Sequence, residues 1–209
     1  MRVADNVFAL DASKGSYVYV ITGKEVVLID TGLPHRRQGI LKELQSMNIR
    51  MEDIKHILLT HHDIDHVGNA GFLQKKTGCN VWASKQDLPY ICGERTRYGV
   101  KRVIEFLVRI ARPINIDVYM ENATVGDVRV IPTPGHTPGH VCLLYKDILF
   151  AGDLVHLKKG RLEPYPSFWN WDTSALMDSI SKIAPLSFKW ICPAHGTPLE
   201  KKAFLKLLV

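Results

Sequence analysis

Short apolar runs rich in β-branched residues alternate along the chain with amphipathic stretches. Runs of the first kind, bounded by turns that contain glycine, predict strands. The predicted strands are residues 7–10, 16–22, 26–30, 54–59, 81–83, 125–132, 141–145, 148–151 and 190–192. Apolar residues spaced three and four apart predict helices. The predicted helices are residues 37–47, 69–76, 98–111, 173–183 and 203–209.

Two of the predicted strands, residues 26–30 and 148–151, lead into aspartates, Asp30 and Asp153. Each is followed by a segment that contains a helix, so the chain has two similar halves. Strands followed by helices in two halves predict an α/β fold with two sheets and helices outside them. The length of 209 residues is compatible with one domain, and we expect residues 1–209 to form it.

The composition and the lengths of the apolar runs exclude several classes of protein. A hydrophobic content of 46% excludes a disordered chain. No apolar run reaches the roughly 18–20 residues that span a bilayer. The first residues lack the apolar stretch of a secretory signal peptide, so we expect a cytoplasmic protein. The four cysteines form no CxxC pair, and we expect them to be reduced.

Histidines are concentrated in three short segments. The six clustered residues are His61, His62, His66, His136, His140 and His195, of nine in the chain. Residues 60–68 also contain Asp63 and Asp65, and this segment follows a predicted strand. Clustered imidazoles and carboxylates are costly unless a cation or hydrogen bonds offset them, and these groups suit zinc, iron or manganese. The alternative is a solvated loop in which Asp63 or Asp65 caps the next helix.

The other candidate residues also follow strands. Residues 134–140 repeat Pro-Gly-His, Asp153 ends an apolar strand, and His195 follows the last predicted strand. Each of these features alone is weak, because a single buried histidine or a capping aspartate is common. Their shared position at strand ends is what indicates a common site.

In this order, HxDxDH followed by His, Asp and His, the sequence resembles the metallo-β-lactamase superfamily. The run Thr-Pro-Gly-His-Thr-Pro-Gly-His is typical of its glyoxalase II-like and lactonase-like members, and the resemblance extends from Asp30 to His195. It implies a four-layer αββα sandwich of two mixed sheets flanked by helices. It also implies a hydrolase that attacks a small ester-like substrate, such as a thioester or lactone, with a metal-bound hydroxide.

The resemblance implies a cofactor of two divalent metal ions, with zinc favoured and iron or manganese as alternatives. The implied ligands are His61, Asp63 and His140 for the first ion, Asp65, His66 and His195 for the second, and Asp153 as the bridge. Asp30 and His136 match supporting positions. Asp65 would also orient the hydroxide and move a proton. His156 would donate a proton or contact the substrate, unless it is merely exposed or supporting. Tyr165 would line the pocket or simply pack.

One residue departs from the usual HxHxDH motif, because Asp63 stands where a second histidine is expected. His62 is the alternative ligand, although it is one position out of register, and we favour Asp63. With a carboxylate at this position, the motif resembles that of the flavodiiron proteins, in which a carboxylate also takes this place. A diiron oxidoreductase or dioxygenase is therefore one alternative function. A phosphodiesterase or nuclease acting on nucleotides and a binding module without catalysis are the others.

Residues 88–122 are interpreted as a helical insert over the active site. An apolar stripe at helical spacing indicates a helix packed over the pocket with a solvated basic face. The stripe consists of Val100, Val103, Ile104, Leu107 and Ile110. An anionic substrate, a membrane surface or a homodimer contact are the alternatives for this basic segment. The net charge of +6 alone does not indicate nucleic acid, and we expect a small-molecule substrate and no nucleic-acid partner.

Overall fold

The computed structural model describes residues 1–120 and 123–207. In this part of the chain the strands are β1 Arg2–Ala4, β2 Val7–Ala9, β3 Tyr19–Ile21, β4 Val26–Ile29, β5 Ile54–Leu58, β6 Asn80–Ala83, β7 Asp117–Val118, β8 Thr124–Val125, β9 Val128–Pro132, β10 Val141–Tyr145, β11 Ile148–Gly152, β12 Val155–Lys158, β13 Arg161–Pro164, β14 Trp190–Pro193 and β15 Leu199–Glu200. The α-helices are α1 Arg37–Ser46, α2 Ile64–Val67, α3 Ala70–Thr77, α4 Leu88–Cys92, α5 Gly99–Leu107, α6 Thr173–Ile183 and α7 Lys201–Leu205.

The chain forms two compact units, Met1–Val118 and Tyr119–Val209. In the described part of the first unit, strands β1 to β7 form one mixed sheet in chain order. Neighbours from β1 to β4 are antiparallel, and those from β4 to β7 are parallel. Parallel neighbours require crossover connections, and helices α1 to α5 lie in these connections.

Helices cover the sheet of the first unit through a common apolar core. Ile40 and Leu44 of α1 and Leu73 of α3 belong to the same buried cluster as Leu28 and Ile57 of the central strands. The four-residue spacing of Ile40 and Leu44 places both on one helix face. Because β4 and β5 are parallel, their carboxyl ends lie at the same edge of this sheet.

The second unit contains a mixed sheet in the order β15-β14-β11-β10-β9-β8, and the hairpin β12–β13 is separate from it. The pair β11–β14 is parallel, and α6 lies in its connection. Leu176, Ile180 and Ile183 of α6 lie in the buried cluster of this unit. This α/β arrangement, with a mixed sheet in each unit and helices packed against it, agrees with the predicted class.

Several short strands escaped the sequence analysis. These are β1, β7, β12, β13 and β15, each two to four residues long. The β12–β13 turn contains Lys159 and Gly160, both with positive φ, as expected of a tight hairpin turn. The predicted insert at residues 88–122 contains α4, α5 and β7, and its residues 121–122 lie outside the described part of the chain. A single domain over residues 1–209 stays a prediction.

Helix α5 corrects one interpretation of that insert. The apolar stripe does not pack inward as a whole, because Val103 and Leu107 are exposed, with Leu107 72% exposed. Lys101 faces the interior and is only 5% exposed. Ile104 and Ile110 are half-buried. The helix therefore points part of its charged face inward, which the spacing of apolar residues could not reveal.

In the described residues, no helix has the length and apolar character needed to cross a membrane. The four cysteines are free thiols, and Cys79, Cys142 and Cys192 are buried. Burial raises the pKa of the Cys142 thiol to about 12. The cysteines near the candidate ligands His140 and His195 are thus packed as thiols inside the second unit.

Candidate metal-binding site

The loop after β5 contains the first group of candidate ligands. His61, His62, Asp63 and His66 are buried, and Asp65 is half-buried. Asp63 immediately precedes helix α2, yet its side chain makes no capping hydrogen bond among the described residues. The alternative of a solvated capping loop does not match this burial.

Asp30, at the end of β4, anchors this loop. Its carboxylate accepts hydrogen bonds from the Thr60 backbone N–H at 2.8 Å and the Thr60 hydroxyl at 2.7 Å. Oδ2 of Asp30 also lies 2.8 Å from Nδ1 of His66, and Thr60 Oγ1 lies 3.1 Å from Nδ1 of His61. A carboxylate at Nδ1 favours the tautomer with a proton there, which leaves the Nε2 lone pair of His66 for a metal.

The Nε2 atoms of these two histidines face carboxylates. Nε2 of His61 lies 3.6 Å from Oδ2 of Asp63, and Nε2 of His66 lies 3.6 Å from Oδ2 of Asp65. The two imidazole centroids are 3.8 Å apart. Two ligands of one tetrahedral zinc, bound at about 2.0–2.1 Å, lie about 3.4 Å apart. The donor types and their spacing in the first unit therefore fit a divalent metal.

His62 has a different environment from its neighbours. Its ring stacks on Tyr90 of α4 with centroids 4.4 Å apart, and its Nδ1 lies 3.1 Å from Oδ2 of Asp87. The same Asp87 oxygen accepts the His62 backbone N–H at 3.0 Å. These contacts join His62 to the insert, although its Nε2 also lies 3.6 Å from Oδ1 of Asp63. Asp63 has the position in the loop that the motif predicts for a ligand.

Two cations of the insert, Arg97 and Lys101, lie buried beside the loop, whereas the favoured interpretation of the insert predicts a solvated basic face. Nζ of Lys101 lies 2.7 Å from Oδ2 of Asp63. Arg97 donates to the His62 carbonyl through Nε at 3.0 Å and also through Nη2. Its Nη1 pairs with Glu105 at 2.9 Å. Burial lowers the pKa of Arg97, and the carboxylates of Asp63 and Glu105 oppose this shift.

In the second unit, the repeated Pro-Gly-His loop between β9 and β10 places its two histidines differently. Nε2 of His136 lies 3.5 Å from Oδ2 of Asp153, and its Nδ1 lies 3.1 Å from Oδ1 of Asn170. Nε2 of His140 accepts the backbone N–H of Asp153 at 3.1 Å, and its Nδ1 lies 2.9 Å from the Thr133 hydroxyl. Nε2 of His136 therefore faces the Asp153 carboxylate, whereas Nε2 of His140 faces the Asp153 backbone. The assignment of His140 as the ligand and His136 as the support stays a prediction.

His195 follows β14 and points at the same carboxylate. Its Nε2 lies 3.3 Å from Oδ2 of Asp153, whose side chain is buried after β11. The next residue, Gly196, has φ of +152°, and a Cβ there would lie 2.3 Å from the Cβ of Leu157. Glycine is thus required for the turn that orients His195.

Tyr165, which the sequence analysis considered for the pocket wall or for packing, contacts three histidine rings. Its ring centroid lies 4.4 Å from that of His136 and 5.6 Å from those of His156 and His195. His156 lies on β12 opposite Glu163 of β13. Its Nδ1 is buried and has no hydrogen-bond partner among the described residues. Tyr165 therefore brings His156 into the surroundings of His136 and His195.

Comparison with known proteins adds to this geometry. A family model described as the Metallo-beta-lactamase superfamily matches residues 12–195. The probable metallo-hydrolase YflN of Bacillus subtilis is 28% identical over 205 residues, which cover 85% of this chain and 78% of that protein. A hydroxyacylglutathione hydrolase of Shewanella halifaxensis is 32% identical over 151 residues, which cover 70% of this chain and 50% of that protein.

Among solved structures, the protein TTHA1623 in a di-iron-bound form aligns with a TM-score of 0.73 and 25% identity. The alignment covers 91% of this chain and 92% of that protein. Such agreement over nearly the whole length of both chains confirms the predicted fold class.

Proposed function

The chain belongs to the metallo-β-lactamase superfamily, and from this membership we propose that it is a metal-dependent hydrolase of a small ester-like substrate, such as a thioester or lactone. The observation that supports this most strongly is the orientation of the buried histidines. His61 and His66 have Nδ1 beside Thr60 and Asp30, and their Nε2 atoms face carboxylates. A merely structural histidine cluster has no need of this shared orientation.

The donor set is one that suits zinc, iron or manganese, because it combines imidazole nitrogens with carboxylate oxygens. We propose two metal positions, as the family motif implies. The proposed ligands are His61, Asp63 and His140 for the first position, Asp65, His66 and His195 for the second, and Asp153 for both. Zinc is the metal we favour. The di-iron form of TTHA1623 supports iron as the alternative.

Bound divalent metals lower the pKa of water to about 7 and polarise a carbonyl oxygen. The surrounding residues would hold the histidine ligands in place, orient the attacking water and transfer protons. Asp30 holds the tautomer of His66, and Oδ2 of Asp65 is the half-buried carboxylate oxygen best suited to orient the attacking water and receive its proton. His156, beside Tyr165, would contact the substrate or protonate the leaving group.

The substrate proposal rests on the relative that is a hydroxyacylglutathione hydrolase. A thioester is therefore the first substrate to test, and a lactone is the second. The basic residues of the insert support an anionic substrate. A cytoplasmic location, a homodimer and action without a nucleic-acid partner belong to the same proposal.

The proposal is tested by measuring metal content and hydrolysis together. We expect protein purified without added metal to contain zinc by plasma mass spectrometry. It should cleave an acyl-glutathione thioester or an acyl-homoserine lactone faster than bis-(p-nitrophenyl) phosphate. Preferred cleavage of the phosphodiester would favour the phosphodiesterase alternative. Bound iron with oxygen consumption would favour the oxidoreductase.

Asp153→Ala provides the decisive variant, because this carboxylate lies beside both His136 and His195. We expect it to lose bound metal and at least 100-fold of the activity. Asp178→Ala, on the exposed surface of α6, is the matched control and should retain both. An Asp153→Ala protein that still hydrolyses the substrate at the original rate would refute the role of this residue.

A further inference from the structure

The side of helix α5 that faces the interior is charged. Lys101 and Glu105 lie four residues apart on one face and are directed inward, while Phe106 is 85% exposed. Lys101 is only 5% exposed, although lysine is almost never buried unless it is paired. The burial of Lys101 therefore requires a negatively charged partner that compensates for the lost hydration of its ammonium group.

That partner is the residue that departs from the family motif. Nζ of Lys101 lies 2.7 Å from Oδ2 of Asp63, and the same oxygen lies 3.6 Å from Nε2 of His61. One carboxylate oxygen thus faces both an ammonium group and a candidate metal ligand. In the usual motif a neutral histidine occupies this position and would offer no such partner to a lysine.

The second buried cation is already balanced by another residue. Arg97 pairs with Glu105 at 2.9 Å through its guanidinium, and its backbone N–H donates to the other oxygen of Glu105 at 3.0 Å. Nη2 of Arg112 also lies 3.8 Å from Glu105, so Glu105 faces two guanidinium groups. The ammonium group of Lys101 instead contacts Asp63.

We propose that Lys101 competes with a metal ion for the Asp63 carboxylate, so that the position formed with His61 and Asp63 binds metal more weakly than the position formed with Asp65 and His66. The proposal rests on the proposed metal-dependent function. A divalent cation at Asp63 would lie close to the ammonium group in a buried place where like charges repel strongly. Asp65, the corresponding carboxylate of the other position, is half-buried and therefore better hydrated than Asp63, and its Oδ2 lies 3.6 Å from Nε2 of His66.

The test is a titration of metal-free protein with Co²⁺, followed by its visible absorption and by calorimetry. We expect the wild type to bind two equivalents with dissociation constants that differ at least tenfold. Lys101→Met keeps much of the length of the side chain and removes the charge. It should tighten the weaker site at least tenfold and leave the tighter one unchanged. Lys101→Arg keeps the charge and should retain two unequal sites.

The direction of the change separates competition from a structural role. If Lys101 merely held Asp63 in place, Lys101→Met would weaken the site, and this result would overturn the proposal. Two equal sites in the wild type would also overturn it, and they would leave the proposed function intact. A wild type that binds no Co²⁺ would instead refute the proposed function. Circular dichroism establishes folding of each variant, and the wild-type titration decides the question if Lys101→Met does not fold.

Discussion

Adjacent residues in the loop after β5 have different surroundings. His62 is enclosed by Tyr90 and Asp87 of the insert, and its carbonyl accepts from Arg97. Asp63 faces His61 and Lys101. The chemistry of a residue here depends on the neighbours that burial gives it, because an imidazole already stacked and paired has little freedom to reach a metal.

We expect substitutions of these two residues to separate stability from metal binding. His62→Ala should lower the free energy of unfolding by about 2–4 kcal/mol, because it leaves a cavity against Tyr90 and removes a partner of Asp87. It should retain its metal. Asp63→Ala should lose the weaker metal equivalent. Urea denaturation and metal titration measure the two effects, and loss of metal in His62→Ala alone would move His62 into the ligand set.

At the scale of elements, helix α5 has its charged face toward the protein and much of its apolar face toward solvent. Lys101 and Glu105 lie against Asp63 and Arg97, while Phe106 is exposed. An apolar stripe shows that a helix has two faces but does not say which face is buried. Here the buried ion pairs decide the orientation.

Neighbouring positions in α5 offer a direct test of this orientation. Glu105→Gln should lower the free energy of unfolding by about 3–5 kcal/mol, because it leaves the buried guanidinium of Arg97 without its compensating charge. Phe106→Ser should change it by no more than about 0.5 kcal/mol, since the ring is exposed. Chemical denaturation gives both values. A larger loss in Phe106→Ser than in Glu105→Gln would mean that the helix packs by its apolar face.

At the scale of the whole molecule, the candidate ligands are distributed along the sequence from His61 to His195. A metal bound only by the folded chain stabilises that state according to its concentration. Stability and metal occupancy should therefore rise together.

We expect Zn²⁺ at about 100 times its dissociation constant to add about 2.7 kcal/mol of stability. For a chain of this size, this corresponds to a rise of roughly 5–11 °C in the unfolding temperature. Differential scanning fluorimetry with a chelator or with added Zn²⁺ measures it. Asp153→Ala should show little of this shift, and an equal shift in that variant would exclude stabilisation through the proposed ligands.

The sequence by itself determined the main strands and helices, the order of histidines and aspartates at strand ends, and the family. These features depend on local periodicity and on motifs within a few residues, so one chain suffices to recognise them. The presence of Asp63 where the usual motif has a histidine can also be seen in the sequence alone.

Only the tertiary structure decided which histidine of the repeat faces Asp153, the contacts of Tyr165 and the pairing of Lys101 with Asp63. His136 and His140 occupy equivalent places in a repeated sequence, and their difference comes from Asn170 and Thr133. Helices α2 to α4 and strand β6 lie between Asp63 and Lys101 in the sequence. Such choices depend on which side chains are buried together, and burial is a property of the folded chain that no local pattern specifies.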